Sequence, residues 1–339
     1  MQAALRPMSL GEILDRTVEI YRRSFWLFCG IAALPAAGMF CVHLADLFWI
    51  HFSALLQPHN PEGAFLWFLL RGLAYYHVSG FLYMLFLPAF VRSASNAAFG
   101  ERSSVSLSLH FILDRRRSYL WLAFLRYLAV LIIPEALAFC VMFAVGSIAD
   151  KYGLFDGSMA AAAAVVTLLP VPAGFALMLW VGACLALAFP SSALEHTSGL
   201  KALRRSWRLS RGSRRRIIFA WLSILTIGNI LSWLVYFIAR WAWMLLYPHW
   251  HPGLLGRNCY SVATIFLYSM IAASIAPLFP IAATLFYFDQ RVRKEGYDLE
   301  RLMEAAGLQR PAPLGEAEPT AEAEKAPSLW GRIPRHHGD

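Results

Sequence analysis

Six stretches of this chain are too apolar to rest in water, and its basic residues gather on one side of them. Residues 25–45, 72–91, 157–194, 217–239 and 258–288 contain no Asp, Glu, Lys or Arg; a sixth, 119–147, carries only Arg126 and Glu135. About 20 apolar residues suffice for a helix to cross the hydrocarbon core, so each stretch is long enough to span it. Strands of a membrane barrel would read as short alternating segments instead. Long runs with every backbone group satisfied internally are helices. The expected fold is all-α: a polytopic membrane protein with six transmembrane helices arranged as three hairpins.

Composition supports that class. At 58% hydrophobic and 15% charged, the 339 residues fit neither a soluble globule nor a disordered chain. The net charge of +9 raises the question of nucleic acid, but its placement points to a membrane surface. Of 30 basic residues, 25 fall before the first span, between the second and third, between the fourth and fifth, or after the sixth. By the positive-inside rule those segments are cytoplasmic, and so are both termini. The first apolar run follows 24 mixed residues and reads as an uncleaved anchor rather than a signal peptide. Five cysteines form no C-x-x-C pair, and four of them lie in spans, so no redox role is expected.

The segments between spans are patterned. Residues 9–23 (SLGEILDRTVEIYRR) open with Ser9 and Glu12 at capping-box spacing, and Ile13, Leu14, Val18 and Tyr21 recur at helical intervals. Residues 104–117 and 198–216 are further basic amphipathic segments, each ahead of an outgoing span. The predicted organisation is an N-terminal amphipathic helix (1–24), a six-span membrane domain (25–289), a basic C-terminal helix (290–308) and a disordered tail (309–339) rich in Pro, Ala and Glu. ILDRTVEIYRRSFWLFCGIAALP from Ile13 and ILDRRRSYLWLAFLRYLAVLIIP from Ile112 align loosely. They suggest a threefold repeat of basic helix, span out, short loop and span back.

Three motifs carry a family resemblance: RPMSLGEILDRTVEIYRRSFW near the start, ALRRSWRLSRG from Ala202 to Gly212, and YFDQRVRKEGYDLE from Tyr287 to Glu300. Together, over about residues 5–305, they resemble the bacterial membrane domains named for their occurrence beside glycerophosphodiester phosphodiesterases. The resemblance implies a multi-pass, six-span protein of the bacterial inner membrane. It brings no catalytic residues, since the phosphodiesterase domain itself has no counterpart in this sequence.

Candidate site residues follow from chemistry. In 198–216, Leu200, Leu203 and Trp207 share a stripe flanked by Arg204, Arg205, Arg208 and Arg211. Trp at the interface and guanidinium groups on phosphates would let Arg204, Arg205, Trp207, Arg208 and Arg211 hold anionic phospholipid headgroups. The alternative is that they only orient and anchor the chain. Glu295 and Asp298 offer partners to the same arginines. Glu135, deep in the third span, is either a coupling residue or a neutral packing residue, with Asn229 of the fifth span as a polar neighbour. Arg126, nearer the span's end, is placed to snorkel. Asp46 and Arg71 are expected to pair across adjacent spans. His249-Trp250-His251 lacks the carboxylate or thiolate that would complete a metal site.

No cofactor is implied. No HExxH, GxSxG or P-loop occurs, and no segment outside the spans is long enough for a catalytic domain, so the chain is not expected to be an enzyme. The leading expectation is a protein that organises lipids or partner proteins through its basic face. The alternative is a small transporter or lipid flippase with Glu135 in a polar pathway.

Overall fold

The computed structural model describes residues 6–53, 61–154, 160–250 and 253–299, with side chains for all of these except 46–53, 61–69, 71, 160–163, 246–250, 254, 255 and 257. Every regular element among the described residues is a helix. A short helix α1 (Leu10–Arg23) leads into α2 (Phe25–Ser53), and α3 (Pro61–Ala98) returns. Next come α4 (Val105–Asp114), α5 (Arg116–Tyr127), a π turn (Leu128–Ile132) and α6 (Ile133–Lys151). The fourth span comprises α7 (Ala160–Leu168), α8 (Pro170–Cys184) and α9 (Ala188–Glu195). A second short basic helix, α10 (Gly199–Leu209), precedes α11 (Arg214–Trp250), α12 (Leu254–Ile275) and α13 (Leu278–Glu295). Six helical runs are long and apolar enough to cross a membrane: Phe25–Ala45, Gly72–Ala98, Arg116–Lys151, Ala164–Glu195, Arg214–Leu245 and Asn258–Glu295. The protein is a multi-pass, all-helical membrane protein.

Local chemistry explains where the helices begin and stop. The capping box at α1 forms: Glu12 N–H donates to Ser9 Oγ (3.2 Å), and Ser9 N–H donates to the Glu12 carboxylate (2.6 Å). Those donors, the Ser9 backbone first, hold the Glu12 carboxyl below its ordinary range. Ser104 caps α4 in the same way through the N–H of Leu107. Proline, which lacks an N–H, marks two interruptions in the return spans. Pro170 opens α8 after a break at Leu169, and the break between α12 and α13 contains Pro277. Pro35 and Pro88 sit inside continuous helices.

One boundary differs from expectation. No separate helix starts at residue 290; α13 runs unbroken to Glu295, because nothing between Tyr287 and Glu295 disfavours helix. Gly296, at φ +62°, is the first residue able to end it cheaply. Residues 300–308 of that expected helix and the whole 309–339 tail lie outside the described residues.

The core lies where the return spans end. The C-terminal part of α3 (Ala89, Phe90, Val91, Ser93, Ala94), most of α9 (Ala188, Phe189, Ser191, Ala193) and the first half of α13 (Ile281, Ala282, Thr284, Phe286, Tyr287) are buried, and these three helices pack on one another. Alternating large and small side chains lets their backbones approach closely, as lipid-embedded packing favours. The short helices sit around this core: α4 on α3, α10 on α9, and α1 on α13. Each of the first two lies on the return helix that precedes it in the chain. The third closes the circuit, joining the first helix to the last.

Candidate functional site

At the basic end of the bundle, charge is organised into two networks. In the first, Arg205 of α10 reaches Glu195 at the end of α9 (Nη2 to Oε1, 2.8 Å) and Glu295 at the end of α13 (Nη2 to Oε2, 2.7 Å). Arg291 joins the same Glu295 (3.1 Å), and Tyr287 O–H donates to Glu195 (2.7 Å). Burial works against the charge on Arg205, yet its hydrogen bonds to Glu195 and Glu295 hold the guanidinium above its ordinary value. Three helices are thereby clamped through one side chain. The two carboxylates match the planar fork of Arg, which a lysine would not reproduce.

The second network surrounds Asp289, which has no exposed surface. Its carboxylate accepts from Met8 N–H (2.8 Å), Gln290 Nε2 (3.0 Å), Arg293 Nε (2.9 Å) and Arg216 Nη1 (3.3 Å). Arg216 and Arg293 also donate to the Met8 carbonyl. A buried carboxylate is tolerable only when its lone pairs are met this fully. Lys294 donates to the carbonyls of Leu209 (2.7 Å) and Arg211 (2.6 Å), filling acceptors left open at the end of α10.

This arrangement divides the arginines expected to hold headgroups. Arg205 leaves the set, because its guanidinium is occupied by two carboxylates. Arg204, Arg208 and Arg211 are exposed, and no carboxylate lies within ion-pair distance of them among the described residues. Trp207 is 39% exposed, and Leu200 is exposed beside it. The face of α10 that turns inward is made of Ala202, Ser206 and Leu209, with Ser206 Oγ donating to the Cys184 carbonyl (2.9 Å). Arg214 lies over the rings of Trp207 (4.6 Å) and Trp180 (5.3 Å), joining α10 to α8 by cation–π contact.

Within the spans, Glu135 does not meet Asn229. Its carboxylate lies 3.2 Å from His77 Nε2 on α3. The other ring nitrogen of His77 is 2.6 Å from the Tyr127 hydroxyl, which also donates to the His77 carbonyl (2.9 Å). The π turn makes this possible. In a regular helix Tyr127 and Glu135, eight residues apart, would diverge by about 80°. A π turn absorbs one extra residue, so eight behave nearly as seven and both side chains face α3. Asn229 instead donates its amide to the Leu225 carbonyl (2.8 Å) one turn back. It lines an open, apolar groove of about 870 Å³ with Phe175, Trp233 and Phe237.

Arg126 does not snorkel. It is buried, donating Nε–H to the Leu185 carbonyl (3.1 Å) and lying over the Phe189 ring (5.6 Å). Leu185 stands in the turn between α8 and α9, where its carbonyl also accepts from the Ala188 N–H at 3.3 Å. Tyr83 O–H serves Ala276 in the same way at the break in the sixth span (2.7 Å). The side chains of Asp46, Arg71 and His249 lie outside those described, as does His251. Among the described residues no cluster of three His, Cys, Asp or Glu could hold a metal.

His77 and Asp289 are the members of these networks that the sequence pattern did not single out. A lone histidine in an otherwise uncharged span was the available signal for the first. For the second it was an Asp four residues before an Arg in DQRVR. Comparison with protein families, with curated proteins and with solved structures finds no match to this chain.

Proposed function

We propose that this is a non-catalytic protein of the bacterial inner membrane, with both termini cytoplasmic, that organises anionic phospholipids or partner proteins through its basic face. The observation that carries this reading is the exposed side of α10. Among the described residues no carboxylate lies within ion-pair distance of Arg204, Arg208 or Arg211, and these stand beside an exposed Leu200 and Trp207. An apolar edge with Trp and free guanidinium groups suits the headgroup plane. Each such charge near an anionic leaflet contributes roughly 1 kcal/mol. The clamp on Arg205 fixes the helix that presents them. The motif resemblance to the phosphodiesterase-associated membrane domains agrees with this reading, and the distribution of basic residues supports the orientation.

The test is lipid retention. With Arg204, Arg208 and Arg211 changed together to Gln, the purified protein should retain several-fold less anionic phospholipid, and the wild type should lose its own as salt rises. Unchanged lipid content in the triple variant would reject the proposal. Reporter fusions after Asp339 and within 149–160 test the orientation, which predicts cytoplasmic and external signals respectively.

A second reading, transport of a small solute or lipid, is favoured by one observation. The fourth and sixth spans are both interrupted, at Leu185–Leu187 and Ala276–Pro277, as spans lining a pathway often are. It requires Glu135→Gln to abolish ion-dependent flux in a folded protein. The lipid-gathering reading requires no flux at all.

A further inference from the structure

We propose that the groove between α8 and α11 is an interface with a second copy of this chain, in which the two Asn229 carboxamides hydrogen-bond to each other across a twofold axis along the membrane normal. The pairing is independent of what the basic face holds.

The groove opens on the lipid-facing side of α11. Along it Leu222, Thr226, Asn229, Trp233 and Tyr236 follow one another at intervals of four, three, four and three residues. That is the spacing of a seam between two helices that supercoil left-handedly at a shallow angle, as most membrane bundles do. Among the described residues no helix of the same chain covers the seam: Thr226, Asn229, Trp233 and Tyr236 are all exposed. Phe175 of α8 and Phe237 flank it.

A purely apolar stripe would suit lipid, but Asn229 does not. It stands at the middle of the uncharged stretch 217–239, and so near the bilayer midplane. One N–H of its amide goes to the Leu225 carbonyl (2.8 Å). The second N–H and the side-chain oxygen meet no partner among the described residues, and hydrocarbon offers none. A polar group at that depth is costly unless another protein group meets it.

That other group has to present a donor and an acceptor together, at the same depth. A second copy does so by construction. Every copy inserts in one orientation, so its Asn229 lies at the same level. A twofold axis then sets the two amides face to face, and the free N–H of each meets the oxygen of the other. Such an interface is self-complementary and closes at two chains. The same rotation places both α10 helices on one side of the membrane.

Disulfide cross-linking of the full chain in liposomes tests this, with the five native cysteines changed to alanine and single cysteines added. Thr226→Cys and Tyr236→Cys, on the seam, should cross-link on oxidation. Ile227→Cys and Ile238→Cys, exposed but turned to another side of α11, should not. Energy transfer between copies carrying fluorescent proteins after Asp339 should fall as the protein is diluted in lipid. Asn229→Leu should raise the dissociation constant several-fold, and Asn229→Gln, which can still pair with itself, should raise it less. Cross-linking as strong at Ile238→Cys as at Thr226→Cys would overturn the proposal. So would energy transfer no greater than random mixing gives, or Asn229→Leu pairing as tightly as the wild type. Asn229 hydrogen-bonds only within its own helix, so its variants leave the single chain intact. Should the cysteine-free chain not fold, energy transfer in the chain with its native cysteines still decides.

Discussion

Arg126 donates its Nε–H to the carbonyl of Leu185, 3.1 Å away, in the turn that interrupts the fourth span between α8 and α9. A buried guanidinium is thus used as a cap for a broken helix in a neighbouring hairpin. Replacing it with Leu removes the charge together with its desolvation cost, so Arg126→Leu should lower stability by only about 1 kcal/mol. Arg126→Glu, which sets a carboxylate against that carbonyl and the Phe189 ring, should prevent folding. Unfolding in mixed lipid–detergent micelles separates the two outcomes.

Arg204 and Arg205 are adjacent in sequence and opposite in role. Arg205→Ala leaves Glu195 and Glu295 without their shared cation and should cost about 2 kcal/mol, reduced from the fully buried case because the site is partly wet. Arg204→Ala should be within about 0.5 kcal/mol of wild type. Melting of both variants in the same lipid is the measurement, and equal values would remove the clamp from the argument.

Asp289→Ala should be the most damaging single change at the basic end, at about 3 kcal/mol, because Arg216 and Arg293 lose a fully enclosed partner. Asp289→Asn keeps acceptor capacity on one oxygen and should fall between. Faster proteolysis near Met8 in the Ala variant would show that the N-terminal segment has been freed.

Gly174 measures how closely α6 and α8 approach. A Cβ there would stand 2.6 Å from the Ala138 methyl and 3.3 Å from the Pro134 carbonyl oxygen. Gly174→Ala should therefore cost about 1–3 kcal/mol through overpacking. Gly11→Ala, in open space within α1, should stabilise by a few tenths to about 1 kcal/mol. Thermal stability of the two variants should shift in opposite directions.

The spans, their number and the α1 capping box were legible because each depends on neighbours in sequence: apolar run length, or a Ser and a Glu three residues apart. The Glu135 contact was not. Its placement depends on a π turn that moves Glu135 by one residue's rotation, and on which helix lies opposite. A regular helical projection points it elsewhere, and Asn229 was the expected neighbour for want of that offset. Arg205 was hidden for a related reason. Within 198–216 it looks like every other arginine, and only the convergence of α9 and α13 singles it out. The amide of Asn229, bonded one turn back to Leu225, needed no distant partner within the chain.

The bond between Met8 and Asp289 joins residues 281 positions apart. At ribosomal speeds of about 5–20 residues per second, on the order of half a minute separates their synthesis. Throughout that interval α1 exists without the helix on which it finally rests, its apolar stripe turned toward whatever surface is at hand. The first segment made is among the last to be seated. A chain truncated anywhere before α13 therefore leaves its leading helix unseated, whatever number of spans it has already inserted.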